Sequence, residues 1–69
     1  MEKYKLLGLN IKKIRKQNNI SQNSLAEMVD LSREYIADIE RGHKKVSLNK
    51  LFKIAKALNV GCCDLINFK

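Results

Sequence analysis

Apolar residues recur three and four positions apart along the whole 69-residue chain, and no stretch alternates apolar with polar residues as a half-buried strand does. Such a chain folds as helices or does not fold. Proline is absent and glycine occurs three times, so little in the composition interrupts a helix. The length suits one domain, residues 1–69. A domain of this size buries only about 60% of the surface its unfolded chain exposes, so each helix must give one face to a shared core.

The stripes can be followed in order. Leu7, Ile11, Ile14 and Asn18 form the first, with Lys12, Lys13, Arg15 and Lys16 mostly off it, and Asn18-Asn19 ends that helix. Ser21 is placed as an N-cap for a short helix whose inner face is Leu25, Ala26 and Val29. Asp30-Leu31-Ser32 is a tight connection, and Ser32 is the next cap. A third helix is predicted over Arg33–Arg41, with Ile36 and Ile39 inward and Gly42 where a left-handed residue is wanted. After the basic loop His43-Lys44-Lys45-Val46, Ser47 caps a fourth helix with the stripe Leu48, Leu51, Ile54, Ala55 and Leu58, which Asn59 ends. A last short helix, Cys62 to about Asn67, carries Leu65 and Ile66. The prediction is an all-α, compact five-helix domain.

Charge is unevenly spread. The net charge is +7, but residues 1–16 balance at +5, residues 17–40 at −4 and residues 41–56 at +6. Two basic blocks around an acidic centre attract polyanions, although a small soluble domain can carry this much charge for solubility alone. Apolar runs of two to three residues exclude a membrane span, and no secretory signal is visible, so a cytoplasmic protein is expected. Cys62 and Cys63 are adjacent, which rules out a disulfide framework and has the wrong spacing for a metal or redox motif. Cys62 reads as a small buried residue and Cys63 as an exposed one. The single histidine, His43, has no ligand-type neighbours at metal spacing and belongs in the loop near the backbone of a bound polyanion or in solvent. Neither metal nor cofactor is expected. Glu34 and Asp38 share a helix face but lack a third ligand, and the chain offers little cavity, so an enzyme is not expected.

Two short helices joined by a tight turn inside a basic domain suggest helix-turn-helix, with the motif at about residues 21–42. The stretch SQNSLAEMVDLSREYIADIERG resembles the Cro and lambda-repressor-like, Xre-type helix-turn-helix family. Ser21-Gln22, Leu25-Ala26, Val29, Leu31-Ser32, Ile36, Ile39-Glu40 and Gly42 carry the likeness, with Leu7, Ile11, Ile14 and Arg15 upstream and LFKIAKALNV downstream. The resemblance implies a regulator that reads the major groove of double-stranded DNA as a homodimer on a near-palindrome, with half-sites about 34–36 Å apart. It also implies a phage-type repressor or a restriction-modification controller.

If Ile36 and Ile39 face inward, then Arg33, Glu34, Ala37, Asp38 and Arg41 face outward. Arg33 matches the N7 and O6 acceptors of guanine, or else contacts phosphate or solvent. Glu34 and Asp38 can accept from cytosine N4; alternatively Glu34 orients Arg33, or one of the acids discourages wrong sequences. The resemblance puts Arg33, Glu34 and Asp38 at the base-facing positions, where many family members carry neutral residues. Phosphate contacts are expected from Gln22, which resembles the family's phosphate-contacting glutamine, and from Arg41, Lys44 and Lys45. Tyr35 either donates its hydroxyl to a phosphate or packs against the second helix, and Lys50 and Lys53 read as a solvated face. The resemblance also implies a partly buried ion pair between Arg15 and Glu40. Phe52, Ile66 and Phe68 are candidates for a dimer patch, and Leu9 is an unexplained apolar residue where relatives are usually polar. A protein-interaction module reusing this fold, such as an antitoxin or adaptor subunit, is the alternative to a DNA reader.

Overall fold

The computed structural model describes residues 2–66, and among these it contains five α-helices and no strand. They are α1 (Lys3–Gln17), α2 (Gln22–Met28), α3 (Arg33–Glu40), α4 (Leu48–Ala57) and α5 (Cys62–Leu65). Two ends differ slightly from the reading above. Arg41 is the cap of α3 rather than its last residue, and α5 stops at Leu65. Asn67 lies outside the described residues.

Local chemistry fixes where each helix begins. Ser21, Ser32 and Ser47 adopt extended backbone, and their hydroxyls accept from the amides of Ser24 (3.0 Å), Tyr35 (3.0 Å) and Lys50 (3.3 Å). Glu2 does the same for α1 with both carboxylate oxygens, accepting from the amides of Tyr4 and Lys5.

One device ends four of the helices. Asn19, Asp30, Gly42 and Asn59 follow α1, α2, α3 and α4 with φ of 57°, 58°, 78° and 59°. Asparagine, aspartate and glycine tolerate this left-handed turn best. The next residue donates its amide back into the last helical turn: Ile20 to Arg15, Leu31 to Ala26, His43 to Asp38 and Val60 to Ala55. Ile20, Leu31 and Val60 then fold their side chains onto the core, as this motif usually does. His43 is polar and exposed, so α3 alone leaves this turn without an apolar anchor.

The core draws on all five helices. Ile11, Leu25, Ile36, Ile39, Ile54, Leu58 and Leu65 are fully buried, and Leu7, Ala26, Val29, Leu51 and Ala55 complete the cluster. Helix α3 is held between α2 and α1. The approach of α1 depends on Gly8. A Cβ there would collide with the backbone carbonyl oxygens of Ile39 and Glu40. Gly42 is confined twice over, because its φ is left-handed and a Cβ would sit 2.6 Å from the Cα of Lys5. Asn10 ties the other side of α1 to α5, donating from Nδ2 to the Leu65 carbonyl at 2.8 Å.

Candidate nucleic-acid interface

Helix α3 divides along its length. In its first turn Arg33 and Glu34 are exposed, whereas Ile36 and Ile39 are buried. In its last turn Glu40 is 5% exposed, facing Arg15 of α1 at 7%. Arg15 donates to that carboxylate twice, from Nε to Oε2 at 2.6 Å and from Nη2 to Oε1 at 3.1 Å. Its Nη1 donates to the Ile20 carbonyl at 2.7 Å, closing the end of α1. Two charges taken out of water are tolerable when they meet in this bidentate way with their remaining donors satisfied. No buried side-chain nitrogen or oxygen lacks a partner among the described residues.

Ala37 corrects the outward list. It is only 8% exposed. Beside it, Lys5, Leu9, Lys12, Gln22, Arg41 and His43 rim an open cleft between α1 and α3. Leu9 is exposed at that rim. Asp38 is half-buried and paired with Arg41, whose Nη2 lies 2.6 Å from Oδ1 one turn on. The pairing offsets the carboxylate's repulsion of a phosphate and leaves Arg41 with further donors. The Glu34 side chain has no ion pair or hydrogen bond among the described residues.

Gln22 is half-buried and engaged at both ends of its amide. Nε2 donates to Glu40 Oε1 at 3.0 Å, and Oε1 lies 3.5 Å from Arg33 Nη1. Tyr35 is half-buried against the core, and Lys50 stands over its ring with Nζ 4.6 Å from the centroid. Lys50 Nζ also donates to Tyr35 Oη at 3.2 Å. An ammonium can only donate, so the tyrosine oxygen accepts and its own proton stays available. Lys50 is therefore held at the α3–α4 junction, not on the solvated face where its sequence position put it. Lys44 and Lys45 are exposed in the loop between α3 and α4. The structure thus gathers Arg15, Gln22, Arg33 and Glu40 into one chain of contacts, with Tyr35 and Lys50 as a second pair beside it. Gly8, which sets the α1–α3 distance, went unread in the sequence. Its signal was a glycine inside an otherwise unbroken helical stripe.

Phe52 and Ile66 are half exposed on α4 and just past α5. Phe68 lies outside the described residues. Cys62 packs partly on the core and Cys63 is exposed. Among the described residues no three potential metal ligands cluster, and no helix is long and apolar enough to cross a membrane.

Residues 11–65, which span α2, α3 and the turn between them, match the helix-turn-helix family. The chain belongs to the Xre-type helix-turn-helix family. Among its relatives, the control protein C.BamHI of Bacillus amyloliquefaciens is 48% identical over 64 residues, covering 91% of this chain and 79% of that protein. The restriction-modification controller C.AhdI of Aeromonas hydrophila superposes with a TM-score of 0.87 at 32% identity, covering 90% of this chain and 94% of that one. SinR, a master regulator for biofilm formation solved in complex with DNA, superposes with a TM-score of 0.81 at 32% identity, covering 86% of this chain and 95% of that one. The helix-turn-helix assignment and the five-helix fold read from the sequence both stand.

Proposed function

We propose that this chain is a sequence-specific transcriptional regulator, a repressor or restriction-modification-type controller that binds double-stranded DNA as a homodimer in the cytoplasm. The first turns of α3 enter the major groove of a near-palindromic operator. The observation that carries this reading is the exposed Arg33–Glu34 turn on a rigidly backed third helix of an Xre-type domain. Arg33 reads guanine through N7 and O6, and Glu34 and Asp38 accept from cytosine N4. Asp38 does so with Arg41 already beside it.

Phosphate contacts come from Gln22, Tyr35, Arg41, Lys44 and Lys45. The spare proton of Tyr35 and the exposure of the three cations support them. They set affinity and its salt dependence, not sequence. Phe52 and Ile66 supply the exposed apolar surface that a dimer would cover, with Phe68 proposed alongside. Glu34, an exposed and unpaired carboxylate on the reading face, favours a second reading: a protein-interaction module that uses the fold to hold a basic partner.

Selection from a randomised duplex pool, followed by fluorescence anisotropy at two salt concentrations, separates the two. The regulator enriches a two-fold symmetric sequence and loses affinity steeply with salt. Salt-sensitive binding with no enriched sequence supports the interaction module instead.

A further inference from the structure

We propose that Lys50 is a further DNA-contacting residue, and that Lys50 and Tyr35 together form one phosphate seat across the junction of α3 and α4. The inference rests on the reading of the chain as a DNA-binding regulator. The two residues hold matching places. Tyr35 is the third residue of α3 and Lys50 the third of α4. In each case the serine cap three positions earlier accepts the residue's own amide, at 3.0 Å and 3.3 Å. Both side chains therefore leave a first turn whose backbone is fixed.

The Lys50 ammonium is half-buried, and no carboxylate pairs with it among the described residues. Its partners are the face of the Tyr35 ring, with Nζ 4.6 Å from the centroid, and Oη at 3.2 Å. Both partners are neutral, so they place the charge without cancelling it. One of the three ammonium protons goes to Oη and two remain. The phenol accepts and keeps its own proton, and accepting from a cation polarises its O–H into a stronger donor. Two donors, one of them charged, thus stand 3.2 Å apart with protons still to give. A phosphate carries its free oxygens on one atom and can accept from both. Tyr35 is two residues from Arg33, so a duplex read by the first turn of α3 carries its backbone within reach. Neither residue makes the seat alone. Without Lys50 the hydroxyl is an ordinary donor free to turn. Without Oη the ammonium keeps the ring but loses the bond that aims it.

The test scans the selected operator with single methylphosphonate linkages, each of which removes the charge of one phosphate. The proteins compared are the wild type, Lys50→Met, Tyr35→Phe, the double variant and Lys53→Met, with thermal melts confirming that each folds. Lys53 is exposed on the same helix, so it controls for the loss of a charge alone. On the unmodified operator Lys50→Met and Tyr35→Phe are each expected to weaken binding about 3- to 10-fold. The double variant should lose hardly more than the larger single loss, because the two act as one unit. One linkage should weaken the wild type and leave both single variants unaffected, while Lys53→Met responds to it as the wild type does. Lys50→Met should also lower the slope of log affinity against log salt by about one, which a packing role would not do. Losses that multiply, or different linkages for the two variants, would overturn the shared seat. So would Lys50→Met binding as tightly as the wild type, or Lys53→Met matching Lys50→Met at that linkage. If the wild type selects no operator at all, the regulator reading itself falls, and the seat with it.

Discussion

The two ends of α3 lie within eight residues of each other and have opposite character. The last turn is dry, with Glu40 clasped by Arg15 and its backbone pressed close against Gly8 of α1. The first turn is wet, with Arg33 and Glu34 in solvent and a single long contact from Arg33 back to Gln22. A helix this short has little stability of its own, so it must be anchored by packing. Anchoring one end leaves side chains at the other end available to a ligand without the helix itself moving. Stability and reading are thereby assigned to different residues of the same helix.

The sharpest way to break that division is at the anchored end. Glu40→Ala leaves Arg15 buried against a missing partner, and is expected to cost about 3–5 kcal/mol, read as a lower midpoint in urea. DNA binding should fall as the folded fraction falls. Gly8→Ala comes next. Its Cβ meets backbone and not a flexible side chain, so α1 must move off α3, at a cost of about 1–3 kcal/mol by the same measurement. At the other end, Arg33→Ala should leave the urea midpoint where it is while giving up about 1–3 kcal/mol of discrimination at one base pair. Lys44→Ala and Lys45→Ala have the smallest effects. Each should weaken binding to all sequences alike and lower the slope of log affinity against log salt by about one. If either lysine changed the sequence preference, the line between anchoring, reading and charge would be misplaced.

Much of this was legible beforehand because it is local. The serine caps, the left-handed Gly42 and the apolar stripes, apart from Leu48, which is exposed, are short-range signals, and each governs a few neighbouring dihedrals. What escaped was set by distance between helices. Ala37 reads as outward on a helical wheel and is buried, since the wheel does not say how near α1 comes. Gln22 and Glu40 are 18 positions apart, and Tyr35 and Lys50 are 15, so neither contact follows from spacing on one helix. The Arg15–Glu40 pairing was expected from family resemblance and not from the residues themselves. Asp38 and Arg41, three apart, could have been paired from sequence; both were given to DNA instead.

The most direct test of the division within α3 changes one atom of the DNA. Replacing the guanine under Arg33 with 7-deazaguanine removes the N7 acceptor and leaves base pairing intact. The wild-type protein should bind the altered operator several-fold more weakly, and Arg33→Ala should bind both operators alike. Equal loss by the two proteins, or no loss by the wild type, would contradict the claim that the first turn of α3 reads the base.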